Sequence, residues 1–246
     1  LNSNLALKTT PASRFSILLL NPNVPAFKDK KCRQYFAKTF RETYSEQDEK
    51  SQALEASIFT KILPGYLSAS DLAAKSANPL SKPDVGRCRD TLKASNITWG
   101  YVRGEKSIFI DTVEKTLKKI GAPTKPIIAD SRKELTDLFS SGKISIFSGS
   151  SGFWALDPAG DLRMLFTPNL HKALQFVSAD NRLQGMIRGL EKDPSQYAKI
   201  NQYLYDEAVF NVYAHLRRFF ASPKKELLAE IPFAITSPAP WQVFRQ

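Results

Sequence analysis

Ile97-Thr98-Trp99-Gly100-Tyr101-Val102, Pro126-Ile127-Ile128-Ala129 and Ile144-Ser145-Ile146-Phe147 are three short runs rich in β-branched and aromatic residues. What lies between them decides the fold. After Gly104, the residues Phe109, Val113, Leu117 and Ile120 recur at helical spacing, and Gly121 then supplies a left-handed C-terminal cap. Between the second and third runs, Ser131 and Glu134 stand at capping-box spacing: the serine oxygen accepts from the third helical N–H and the glutamate reaches back. The helix they open runs through Phe139 and ends at Gly142. Strand, helix, strand, helix, strand with short connections predicts parallel pairing through right-handed crossovers. The fold class is α/β, with a mixed, mostly parallel sheet flanked by helices.

Upstream, Phe15 to Leu20 is an apolar strand closed by Asn21-Pro22-Asn23-Val24-Pro25, where proline prevents continuation. From Asp29 the spacing turns helical, with Cys32, Phe36, Phe40 and Tyr44 on one face. Residues 46–95 are broken at Pro64-Gly65, Asn78-Pro79 and Lys82-Pro83; a short helix is expected from Val85 to Lys93, and no strands. Downstream of Ser148-Gly149-Ser150-Ser151-Gly152, read as a loop, a helical hairpin is expected. Asp180 opens its first arm, with Leu183, Ile187 and Leu190 inward. Asp193-Pro194 opens the second, burying Tyr197, Ile200, Leu204 and Ala208. Val209 to Phe220 reads as strand, followed by a proline-broken apolar tail around Phe233 and Trp241.

The 246 residues suffice for one large domain or two small ones, and 42 % hydrophobic content is ordinary for a globular chain. No run approaches the roughly 18 apolar residues of a membrane span, so a water-soluble chain is expected. Leu1 in place of an initiator Met suggests a processed chain or a fragment. The net charge of +11 could point to an anionic partner, but the basic residues are scattered, without a basic arm or a zinc-finger spacing; no nucleic-acid partner is expected. Cys32 and Cys88 allow one disulfide at most. Both occupy apolar helical positions, where buried free thiols are the default expectation.

Catalysis finds little support. His171 and His215 are the only histidines, neither at metal-ligand spacing from another candidate, so no metal and no cofactor is expected. Gly149-Ser150-Ser151-Gly152 misses the five-residue nucleophile elbow. The stretch reads better as a binding element at the carboxyl end of a parallel strand, where small residues let backbone N–H groups approach a polar ligand. Phe153 and Trp154 would add stacking surface there, unless they fold back onto the core.

The order of these segments resembles the family 5 extracellular solute-binding proteins. Phe15 to Asn21, Val24-Pro25-Ala26-Phe27-Lys28-Asp29 and Cys32-Arg33-Gln34 resemble that family's strand, Pro-Phe-Asp turn and Arg-Gln helix. Leu63-Pro64-Gly65, Asp84 to Leu92, Thr116 to Gly121, the Ser/Gly stretch with Asp157-Pro158 and Leu162, and Asp193 to Tyr213 follow in the family's order. The resemblance implies a periplasmic-binding-protein-like lobe. Residues 1–225 would be the second, C-terminal lobe of a two-lobed receptor, and residues 226–246 a tail packed on a first lobe not contained in this sequence.

Such receptors capture peptides, sugars or other small solutes in the periplasm or cell envelope and hand them to an ABC permease without chemistry. The ligand-binding residues implied here are Gly149, Ser150, Ser151, Gly152, Phe153, Trp154 and Asp157. In one respect the sequence departs from the family: Trp154 stands where peptide-binding members carry an aspartate for the peptide ammonium. A desolvated ammonium would then lack its counter-charge. A lobe retained as a structural or interaction module of the envelope is the alternative.

Overall fold

The computed structural model describes residues 6–9, 14–47, 55–61, 63–105, 107–153, 158–216 and 219–222. The chain starts with β1 (Ala6–Thr9) and β2 (Arg14–Leu20), then the helices α1 (Lys30–Gln47), α2 (Ala69–Lys75) and α3 (Lys82–Ala94). The crossover units follow: β3 (Ile97–Val102), α4 (Ile108–Ile120), β4 (Thr124–Ala129), α5 (Arg132–Ser140) and β5 (Ile146–Gly152). After α6 (Pro158–Leu165), α7 (Gln175–Ser178), α8 (Asn181–Gly189) and α9 (Gln196–Glu207), the chain returns through β6 (Phe210–Leu216) and β7 (Phe219–Ser222). None of the described helices is long and apolar enough to cross a membrane.

The five-stranded sheet has the order β4-β3-β5-β2-β6. β3, β4, β5 and β6 share one direction and β2 runs against them, so the sheet is mixed but mostly parallel. β2 alternates between two cores. Phe15, Ile17 and Leu19 face the layer of α5, α8 and α9, while Leu18 and Leu20 face α1, α3 and α4. The apolar faces read from the sequence supply those layers: Phe36, Phe40, Phe109, Val113 and Leu117 on one side, Leu135, Phe139, Leu183, Ile187 and Ile200 on the other. β1 and β7, of which β1 was not expected, pair antiparallel, Ala6 opposite Ser222. They form a two-stranded sheet apart from the main one.

Some local expectations shift. α3 begins at Lys82 rather than Val85, because Ser81 and Asp84 form a complete capping box and Pro83 fits the first turn, where its missing N–H has no partner to lose. α2 was missed although Ser68 and Asp71 form the same box. At α5 the Ser131 oxygen accepts from Glu134 N–H as expected, but the Glu134 carboxylate takes Asp130 N–H instead of reaching Ser131. The second hairpin helix starts at Gln196, with Asp193 accepting from Ser195 N–H ahead of it. Pro126 sits on the edge strand β4. Ile97 N–H and Arg103 N–H donate to the Pro123 and Ala129 carbonyls, so Pro126 turns its nitrogen outward and breaks the donor row a further strand would need.

Cys32 and Cys88 form a disulfide, which corrects the expectation of free thiols. α1 and α3 pack side by side, bringing the two Cα atoms to 4.8 Å; an Arg87–Asp29 ion pair joins the same helices. The bridge spans 56 residues of chain. By loop-closure entropy, replacing both cysteines with alanine should lower unfolding free energy by about 4 kcal/mol at 25 °C. Urea denaturation of the double variant checks this, and an unchanged midpoint would show the helices hold together without the bridge.

Candidate functional site

The Gly/Ser stretch expected as a loop is strand. β5 runs to Gly152, and its whole length pairs with β2, Gly149 opposite Ile17 and Gly152 opposite Arg14. Its small residues serve that pairing. A Cβ on Gly149 would stand 3.2 Å from both Cγ1 and Cδ1 of Ile17, tighter than ordinary side-chain contact.

The ladder settles which way the β5 backbone points. Asn21 N–H donates to the Ser145 carbonyl at 2.9 Å. Ser145 N–H turns the other way, to the Thr98 carbonyl at 2.7 Å, and from Ile146 on the antiparallel register turns Phe147, Gly149 and Ser151 toward β2, and Ile146, Ser148, Ser150 and Gly152 to the opposite side. On that side Ile146 meets Trp99 of β3, the one β3–β5 pairing among the described residues. β3 does not continue alongside because Val102 is already occupied: its N–H donates to Glu105 Oε2 at 3.2 Å, and its carbonyl accepts from Glu105 N–H at 2.9 Å. The sheet therefore forks. Ser148, Ser150 and Gly152 present N–H and C=O groups with no strand partner among the described residues, at the carboxyl ends of β3, β4 and β5. Open α/β sheets bind ligands at that edge.

Side chains from four elements gather around the fork. Arg14 Nη2 donates to Ser150 Oγ at 3.2 Å. Tyr213 is buried close to Ser148 and Ser16; burial raises its pKa and those two hydroxyls oppose the rise. The Arg132 guanidinium lies 5.4 Å from the Phe147 ring centroid. Arg103 pairs with Asp130 at 2.9 Å. None of Arg14, Ser16, Arg103, Glu105, Arg132 and Tyr213 was singled out from the sequence. Arg103 and Arg132 follow closely on parallel strands, a signal that could have found them; Arg14 and Tyr213 carry no such mark.

Of the residues expected at the site, Gly149, Ser150, Ser151 and Gly152 lie together on β5, while Trp154 and Asp157 fall outside the described residues. Phe153 is only 3 % exposed, its ring stacked on Phe59 at 5.6 Å and near Phe15 at 5.8 Å. It anchors the end of β5 rather than offering open stacking surface. The 55–61 segment that carries Phe59 is tied at its other end to His215. His215 Nε2 donates to the Ser57 carbonyl at 2.8 Å, and Nδ1 stands 3.5 Å from Glu55 Oε2, with both side chains almost fully buried.

The arrangement offers binding more readily than chemistry. Ser57 Oγ is fully buried and accepts from Asn201 Nδ2 at 2.7 Å and Phe59 N–H at 3.2 Å, so it is no nucleophile beside His215. Among the described residues, Asp29, Cys32 and Cys88 are grouped closely enough to suggest a metal, but both sulfurs are spent in the disulfide.

No family model matches the sequence, and no curated protein matches it either. The fold does have counterparts among solved structures. AppA from Clostridium difficile superposes at TM-score 0.71 with 18 % identity, over 95 % of this chain and 50 % of that one. The chain has the fold of one half of an ABC-transporter solute-binding protein. The periplasmic binding protein DppA from Helicobacter pylori, solved with the peptide STSA, matches at TM-score 0.66 and 12 % identity over 98 % of this chain and 48 % of its own. A periplasmic oligopeptide-binding protein of Thermotoga maritima matches at 0.65 and 15 % over 84 % and 45 %. This chain thus spans about half the length of these neighbours, which are binding proteins rather than enzymes.

Burial pulls the His215 pKa below its ordinary value, against the opposing Glu55 carboxylate and Ser57 carbonyl. Between that lowered value and about 6.5 the unfolded chain binds more protons than the folded one. Stability should therefore be complete above about pH 6.5 and fall as pH drops through the folded value. Urea midpoints across this range should decline less steeply for His215→Gln; parallel declines would dissociate His215 from the effect.

Proposed function

We propose that this chain is the second, C-terminal lobe of a two-lobed solute-binding protein of the cell envelope, which captures a peptide or similar solute non-covalently and passes it to an ABC permease. The open edge of β5 carries the reading. An extended peptide pairs with such an edge through its own main chain, and small residues let it lie close. Ser148, Ser150 and Gly152 would supply the hydrogen bonds, with Gly149 and Ser151 completing the strand. Trp154 and Asp157, next along the chain, would border the bound solute. Neighbours about twice as long as this chain, and the peptide held by DppA, support this reading. The disulfide suits an oxidising compartment outside the cytoplasm.

A proline tests the edge. At Ser150 the backbone nitrogen points away from β2, so Ser150→Pro removes an outward donor and blocks the edge without breaking a β2 hydrogen bond. With the tripeptide Ala-Ala-Ala as probe, titration followed by backbone amide NMR should shift the Ser148, Ser150 and Gly152 resonances. Affinity in Ser150→Pro should fall about tenfold, roughly 1.4 kcal/mol. Equal affinity in the variant would remove the β5 edge from the site.

A further inference from the structure

Val102 closes β3, and its backbone groups have a direction fixed by the rest of the strand. Ile97 N–H and Arg103 N–H donate to β4, at the Pro123 and Ala129 carbonyls, while the Thr98 carbonyl faces the other way and accepts from Ser145 N–H at 2.7 Å. Backbone groups alternate in direction along a strand, so Val102 N–H points from β4 toward β5. After the Trp99–Ile146 pairing, the next rung of the parallel ladder would set Tyr101 opposite Ser148. In that rung Val102 N–H donates to the Ser148 carbonyl, and Ser148 N–H to the Gly100 carbonyl. Val102 N–H instead meets Glu105 Oε2 at 3.2 Å.

The local chain is built to hold that carboxylate in place. Glu105 N–H donates to the Val102 carbonyl at 2.9 Å, closing a four-residue turn whose third residue, Gly104, has a φ of 79°. Glycine takes this left-handed conformation without the steric cost of a side chain. The turn sets the Glu105 side chain beside the N–H three residues back. A charged carboxylate oxygen accepts more strongly than the strand carbonyl whose place it takes. Val102 and Glu105 are both partly buried, where a donor left without an acceptor is costly.

On the reading of β5 as the binding edge, we infer that Glu105 is a positioning residue for solute capture. Its carboxylate stands in for the Ser148 carbonyl, stops the β3–β5 ladder at Ile146 and leaves Ser148 to the ligand. β3 and the solute compete for the same backbone groups of β5. Without Glu105, the acceptor in register with Val102 N–H is the Ser148 carbonyl, and β3 advances one rung along β5. Ser148 then spends both its N–H and its C=O within the protein, and the solute keeps only Ser150 and Gly152.

Glu105→Ala and Glu105→Gln separate this role from simple support, because glutamine keeps a carbonyl oxygen for Val102 N–H and alanine does not. In the full 246-residue chain without ligand, Glu105→Ala should slow amide hydrogen exchange at Ser148 about fivefold, the effect of one added backbone hydrogen bond. A scalar coupling between the Val102 nitrogen and the Ser148 carbonyl carbon should appear with it. Loss of support alone would speed that exchange. Affinity for Ala-Ala-Ala should fall about tenfold in Glu105→Ala and stay at the wild-type value in Glu105→Gln. The inference fails if Ser148 exchange in the alanine variant is unchanged or faster, whatever the affinity, or if glutamine acts like alanine. If Ser148 becomes protected while the wild type and both variants bind Ala-Ala-Ala alike, or none binds it, Glu105 does hold β3 off β5 and it is the reading of β5 as the binding edge that fails.

Discussion

The pairing of β2 against β5 and β6, in the opposite direction to every other strand of the main sheet, is the constraint from which the rest follows. β2 is covered on both edges and both faces. Phe15, Leu18 and Leu20 are fully buried and Leu19 nearly so, each contributing roughly 1.5–3 kcal/mol by leaving water. A register slip of one residue would exchange its two sets of side chains between the cores. Asn21 then fastens the end of the strand, donating from its amide side chain to the Phe139 carbonyl at 2.7 Å and from its backbone to Ser145.

The fork is a consequence of that pairing. β5 belongs to a parallel wing with β3 and β4 at its start and to an antiparallel wing with β2 and β6 for its full length. It follows β2. β3 follows β4 and closes its remaining edge with Glu105, so the two wings part at their carboxyl ends. The opening is backed by firm packing: Phe153 lies on Phe59 beneath the end of β5, and the 55–61 segment is fastened at its far side by His215 and Asn201. An edge held rigidly over a dry core costs little to order when a ligand arrives.

Much of the architecture was legible because it rests on periodicity and caps. The stripe Phe109, Val113, Leu117, Ile120 with Gly121 after it predicts α4 to within a residue, and Gly121 takes the left-handed conformation its position implies. The strands Ile97–Val102 and Arg14–Leu20 also fall where the apolar runs stand. The Ser/Gly stretch misled for a physical reason. Composition describes a segment's preference in isolation, where Ser and Gly favour turns, but seven successive pairings with β2 override it. Cys32 and Cys88 misled likewise, since each looks like a core position on its own helix and only the α1–α3 packing puts them in reach.

The sequence by itself determined the α/β class, the parallel β3-α4-β4-α5-β5 core and the apolar run that becomes β2. Those properties are local: spacing, capping and residue shape act within a turn or a strand. Only the tertiary structure decided that the Gly/Ser stretch is a strand paired along β2, that Phe153 turns inward, and that Arg14 reaches Ser150. These depend on contacts between residues distant in sequence, such as Arg14 with Ser150, whose geometry is set by how β2 threads between β5 and β6.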